Sequence, residues 1–297
     1  MEPKEAALRA REVLEDYDAA APDATALALA AVWREATPGA PPDLTPEQAR
    51  LLRERGMEGA RFQAADTPVP VLNAMGAEIG RQGRRRVAAF LPLARLLWDG
   101  YGREGRIVAA VALGPMELAE PEAVVPVVYA MARTCTSWEE CDQLAMKAWE
   151  PVLRRDPEAW LDRFGSWVLD ENKWVRRAAV TAIGRLPMKQ AAYTARCVDL
   201  LAPALGDGDS DVKRALSFGL RLCARGEVQP VKRFLRDHGD ATDADSVWVL
   251  CDVVRSLWHA LLPEFADLLP VYRRMLDRAE PRARRSVEAA IRKLESA

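Results

Sequence analysis

Two segments of this chain, Trp174-Val-Arg-Arg-Ala-Ala-Val180 and Asp211-Val-Lys-Arg-Ala-Leu-Ser217, are diverged copies of one another, and each opens an amphipathic helix. They start about 37 residues apart, the length of a two-helix unit, and a period of that size marks stacked repeats. Nearly every other segment places apolar residues at helical spacing, and none alternates convincingly with period two. The pattern predicts helices over 4–17, 25–36, 45–58, 69–82, 84–99, 102–113, 121–133, 137–148, 157–169, 172–186, 191–205, 210–225, 228–237, 244–260, 263–278 and 280–295. Short loops marked by Gly or Pro join them, as at Leu186-Pro187 and Gly206-Asp-Gly208, and Thr37-Pro-Gly-Ala-Pro-Pro-Asp43 is the clearest linker.

The expected fold is all-α: an α-solenoid of antiparallel helix pairs, of the HEAT or armadillo kind, with a concave basic face. Residues 1–64 then hold N-terminal helices that could cap the array, 65–237 form the repeat core, and 238–297 supply C-terminal capping helices. Lys and Arg number 42 against 44 Asp and Glu, a net charge of −2 that excludes a uniformly basic nucleic-acid binder. The charge is nonetheless segregated. Residues 171–236 carry a net +7 and residues 71–110 a net +4, while the other blocks are acidic. Both basic blocks on one face would make a positive groove for a polyanion; solvated arginine-rich helices are the alternative.

Whole classes of chemistry lack material. The five cysteines at 135, 141, 197, 223 and 251 form no C-x-x-C pair and read as free thiols. Only His238 and His259 exist, so a histidine-based zinc site or a Ser-His-Asp triad is hard to build. Asp207-Gly-Asp-Ser-Asp211 resembles a calcium loop at first sight. It lacks Gly at the sixth position (Val212) and Glu at the twelfth (Phe218), so it reads as a helix–helix turn with Asp209 or Ser210 as N-cap. No glycine-rich phosphate loop, transmembrane stretch or signal peptide is visible, and no metal or cofactor is called for. The expected location is cytoplasmic.

Helical-wheel arithmetic, about 100° per residue, separates faces. In 210–225, Val212, Ala215, Leu216, Gly219, Leu222 and Cys223 form the apolar stripe, and Arg214, Phe218, Arg221 and Arg225 lie opposite. An aromatic in a column of arginines suits a nucleic-acid backbone, unless a neighbouring repeat covers it. In 172–186 the core face is Val175, Ala179, Ala182, Ile183 and Leu186; Trp174, Arg177, Thr181 and Arg185 share the other side. Arg176 leans toward the apolar flank as an ion-pairing residue, which leaves Arg177 to reach a ligand. Ser137 with Glu140 makes a capping box, so a helix starts there with Trp138 and Asp142 one turn apart on one face and Glu139 and Glu140 toward solvent. The tryptophans at 138, 149, 160, 167 and 174 equally suit a packing stripe.

Taken in order, Thr67-Pro-Val-Pro-Val-Leu72, Leu97-Trp98 with Glu104 and Arg106, Trp138-x-x-x-Asp142, Trp174-Val-Arg-Arg177 and Arg214-Ala-Leu-Ser-Phe-Gly-Leu-Arg221 followed by Phe234-Leu235 resemble the AlkD-type alkylpurine DNA glycosylases, which are built from HEAT-like repeats. The resemblance spans roughly residues 65–237. It implies Asp142 as the catalytic carboxylate, Trp138 as a lesion-contacting aromatic, and Arg177 near the scissile nucleotide. A second family tryptophan falls on Phe218, a departure that offers a smaller π face. Trp174, Lys173, Arg185, Arg214, Phe218, Arg221 and Arg225 are then the expected DNA- and lesion-binding set.

The implied activity is hydrolysis of the N-glycosidic bond of cationic N3- or N7-alkylated purines in double-stranded DNA, by a monomer without cofactor or membrane. A cationic purine leaves readily, so the enzyme must chiefly stabilise the oxocarbenium-like sugar and position water, which a carboxylate can do. Aromatic faces beside a cationic nucleoside add about 0.5–2 kcal/mol each. The family handles its lesions without extruding them into a deep pocket. Two rival readings are a non-catalytic binder of distorted or branched DNA and a protein-interaction scaffold.

Overall fold

A computed structural model describes residues 1–37 and 66–296, so the helix expected at 45–58 and most of the linker after Thr37 lie outside the described residues. The chain divides into two compact units, Met1–Val152 and Leu153–Ala297. Among the described residues every regular element is helical. Each unit is a two-row array of helix pairs, which is the expected solenoid architecture.

The first unit contains α1 (Pro3–Glu15), α2 (Pro22–Glu35), α3 (Val69–Gly83), α4 (Val87–Gly100), α5 (Gly102–Ala119), α6 (Pro121–Ala132) and α7 (Trp138–Leu144). Helices α1, α3 and α5 pack in one row, and α2 packs on α4 in the other. Their buried residues recur at helical spacing, as Ala6, Ala10 and Leu14 do on α1. The rows are also tied by polar groups. Burial would raise the Glu78 carboxyl, but hydrogen bonds from Arg81, Arg11 and Gln82 hold it down at about 2, and the Arg11 bond links α1 to α3.

Beyond Leu144 the helix does not stop at 148 as the periodicity suggests. It widens into a π turn, Ala145–Trp149, and continues as α8, Glu150–Arg155. Pro151 has no N–H for the Lys147 carbonyl, and the ladder shifts register, with the Glu150 amide donating to Ala145 five residues back. The Lys147 carbonyl turns onto Gly114 of α5, where a Cβ would lie 2.1 Å from it. The π turn therefore begins one turn after Asp142.

The second unit holds α9 (Pro157–Trp167), α10 (Lys173–Arg185), α11 (Thr194–Leu201), α12 (Ser210–Gly226), α13 (Val228–Asp237), α14 (Ala244–Arg255), a 3₁₀ stretch (His259–Leu268), α15 (Leu269–Arg278) and α16 (Pro281–Glu295). Helices α10, α12, α14 and α16 pack in succession, and α9, α11 and α13 form the second row. The repeat is visible in its caps. Asn172 accepts from the Trp174 and Val175 amides, Asp209 from Asp211 and Val212, and Asp243 from Ser246. Asp209 thus caps a helix, as expected, and Asp207 pairs with Arg176 at 2.6 Å, which gives Arg176 its expected structural role.

Two departures matter later. The helix expected at 244–260 ends at Arg255, because the Asp252 carboxylate gathers Ser217, Arg255 and Ser256 around its last turn. Helices α10 and α12 also cross with backbone in contact: a Cβ on Gly184 would lie 2.5 Å from the Gly219 Cα. Gly184→Ala must push the two helices apart. It should cost about 1–3 kcal/mol in urea unfolding, the usual range for overpacking; an unchanged midpoint would show that this crossing adjusts freely.

Candidate nucleic-acid interface

In the first unit, Ser137 caps α7 by accepting from the Glu140 amide. Trp138 opens the helix at 58% exposure, one of the largest apolar side chains left on the described surface. Asp142 follows one turn later, half-buried on the same helix. The carboxylates between them are engaged by arginines, and Glu140, contrary to the helix-wheel reading, is buried while Glu139 stays partly exposed. Glu139 takes a bidentate grip from Arg103 at 2.7 and 2.8 Å. Glu140 is buried, accepts from the Thr136 amide at 2.9 Å and pairs with Arg106 at 2.6 Å. Arg106 in turn lies 5.1 Å over the Trp98 ring, whose N–H donates to Thr134. Two acids thus hold the cap in place, and Asp142 is the one on the tryptophan's face.

The tryptophan stripe resolves into separate roles. Trp149 is fully buried and Trp160 nearly so, Trp167 stacks on Phe164, and Trp138 stands in solvent. A cleft of about 380 Å³ between α4 and α6, lined by Arg95, Asp99, Met131 and Thr134 among others, contains none of the expected site residues.

In the second unit, the outward column of α12 is where the wheel places it. Arg214 and Arg225 are exposed, and Phe218 is 40% exposed, so no repeat of its own unit covers it. Among the described residues no carboxylate pairs with Arg185, Arg214, Arg221 or Arg225. Neighbouring cations do have acidic partners. Lys173 contacts Asp209 and Asp211, Lys213 contacts Asp245, and Lys232 contacts Asp267. Unneutralised guanidinium groups in one region of a chain with net charge −2 leave a local positive field. Phe218→Ala should therefore cost little stability, under about 1.5 kcal/mol and far from the roughly 3–5 of a buried phenylalanine. A larger loss in thermal unfolding would place the ring in the core.

Lys173 and Trp174 form a local pair, with the ammonium 4.4 Å over the ring. Arg177 requires a correction. It is only 7% exposed, and its guanidinium donates to the Asp211 carbonyl at 2.6 Å, joining α10 to the start of α12. Its replacement by Ala strips a donor from that carbonyl and lowers the melting temperature, where the wheel alone suggests no effect. Thr181, expected on the same open side, is buried as well.

The sequence reading missed Trp258. Its ring lies 5.9 Å from the Arg221 guanidinium and 5.2 Å from that of Arg225, while Arg221 also lies 5.2 Å over Phe218. It lies three residues past the end of α14 at Arg255. Among the described residues no cluster of His, Cys, Asp or Glu is disposed to hold a metal, and no helix is long and apolar enough to cross a membrane. The five cysteines are buried and unbridged.

Comparison with known structures returns designed armadillo repeat proteins. One, in complex with the peptide (KR)4, is 13% identical with TM-score 0.34, and a second is 12% identical with TM-score 0.31. Each match covers 96% of this chain and 98% of the other. The helix array described above rests on its own packing rather than on these likenesses. A search of curated proteins finds no match. The DNA alkylation repair enzyme family matches residues 44–246, more than half of the sequence and all the site positions discussed except Trp258, and the chain belongs to that family.

Proposed function

We propose that this protein is a DNA glycosylase that excises cationic N3- or N7-alkylated purines from duplex DNA. The observation that carries the reading is the Trp138–Asp142 pair: an exposed indole one turn from a half-buried carboxylate, on a helix start braced by Arg103 and Arg106. Membership of the DNA alkylation repair enzyme family supports alkylated DNA as the substrate, and Arg185, Arg214, Arg221 and Arg225 suit its phosphates.

In the proposed reaction the bond between C1′ and N9 of the alkylated purine breaks, and its electron pair returns to the base, which leaves neutral. The sugar acquires oxocarbenium character, which the Asp142 carboxylate stabilises while it orients a water toward C1′. Water oxygen bonds to C1′ and gives up one proton, taken by the Asp142 carboxylate and passed to solvent, leaving an abasic site. The Trp138 face attracts the cationic purine before cleavage and loses that attraction afterwards, which favours release of the neutral base. The decisive experiment is release of N7-methylguanine and N3-methyladenine from methylated duplex DNA, compared with enzyme-free DNA. Release above the spontaneous rate supports the reading, and DNA binding without release replaces it with a non-catalytic binder.

A further inference from the structure

The Arg221 side chain is held in an unusual way. Its Nη1 donates to the Ser256 carbonyl at 3.0 Å, and its guanidinium sits between the Phe218 and Trp258 rings. Its Nε is buried with no hydrogen-bond partner among the described residues. Burial pushes its pKa below the ordinary arginine value, and the more distant Asp252 charge offsets this only in part. The environment therefore works against the charge. Arg225, one turn further along α12, meets the same Trp258 ring from an exposed position. One indole thus braces two cations that repel each other, and among the described residues neither forms an ion pair with a carboxylate.

The two rings and the Ser256 carbonyl hold the guanidinium groups in place but supply no opposite charge. Two braced guanidinium groups with donor edges left over are suited to oxygen anions that arrive from outside. Residues one turn apart on a helix have Cβ atoms about 5–6 Å apart, so two guanidinium groups placed this way can each meet a phosphate of the same strand. We infer that Trp258 is a positioning residue that holds Arg221 and Arg225 for adjacent phosphates of the DNA backbone. This rests on the reading of the protein as a DNA-binding repair enzyme, but not on its catalytic chemistry.

The test measures duplex DNA affinity against salt for the full chain and for Trp258→Leu, Trp258→Phe, Arg225→Ala and Trp258→Leu with Arg225→Ala. Arg233→Ala, an exposed arginine on α13, serves as the control. Trp258→Leu should weaken binding at least about fivefold and lower the salt slope by about one, as expected when one phosphate fewer is neutralised. Trp258→Phe, which keeps a flat ring and guards against simple misfolding, should retain most of the wild-type slope. In the Arg225→Ala background Trp258→Leu should cost distinctly less, which a purely structural tryptophan would not show. The concentration for half-maximal excision should rise while the saturated rate holds.

An unchanged slope in Trp258→Leu overturns the inference even if methylated purines are excised normally, and the glycosylase reading then stands alone. Altered slopes in a wild type that releases no base leave the inference standing and remove the glycosylase reading. A wild-type chain that binds no duplex at low salt overturns both.

Discussion

Asp142→Asn should reduce excision of N7-methylguanine at least about tenfold, equivalent to about 1.4 kcal/mol of transition-state stabilisation. The substitution keeps size and hydrogen-bonding capacity but removes the negative charge opposite the developing sugar cation. DNA affinity should hold or tighten, because one charge repelling phosphate is gone. Controls follow from the geometry of α7. Glu139 and Glu140 are unsuitable, since Arg103 and Arg106 depend on them. Glu122 on α6, which is exposed, is the better comparison. Should Asp142→Asn excise as fast as wild type, the carboxylate has no part in the chemistry.

A stability effect as large as that at Gly184, and of opposite sign, belongs to Glu117 on α5. Its carboxyl is fully buried, neither oxygen has a hydrogen-bond partner among the described residues, and burial pushes its pKa well above the ordinary 4.5. An acid that stays protonated in the folded state but ionises when unfolded stabilises the fold less and less as pH rises. The loss begins near the unfolded value and continues up to the folded one. Glu117→Met fills the same space without polar atoms and should stabilise the protein by about 1–3 kcal/mol at neutral pH. The gap over wild type should shrink as pH falls toward 4.5. Urea unfolding at several pH values reads it directly, and a gap that does not vary with pH would mean the carboxyl is solvated or paired.

Much of this molecule was legible in its residues because the relevant signals are local. The cap at Asp209, the apolar stripe of α12 and the split between Arg176 and its outward neighbours all depend on one helix at a time. Wheel geometry therefore sufficed to put Phe218, Arg221 and Arg225 on the outward side of α12. It failed where a second element decides the outcome. Arg177 lies on the predicted side, yet the start of α12 covers it. Glu139 and Glu140 face what an isolated helix would call solvent, yet arginines on α5 reach them. Trp258 was hidden for a different reason: its apolar spacing continues that of α14, and the end of that helix is set by Asp252, which answers to Ser217 on another helix. Boundaries fixed by tertiary packing leave no trace in periodicity.

The crossing at Gly184 and Gly219 has a consequence for how such an array can change. Ordinary helix pairs keep their axes about 8–10 Å apart, whereas these two lack side chains at the crossing and approach until backbone meets backbone. The separation between the arginines of α10 and those of α12 is thus governed by two residues that carry no charge and touch no ligand. A single added methyl group would spread Arg185 from Arg214, Arg221 and Arg225 while every cation remained, and if these bind phosphates as proposed it would alter their match. Substitution in the packed interior can therefore alter which polyanion this surface fits, with the surface sequence unchanged.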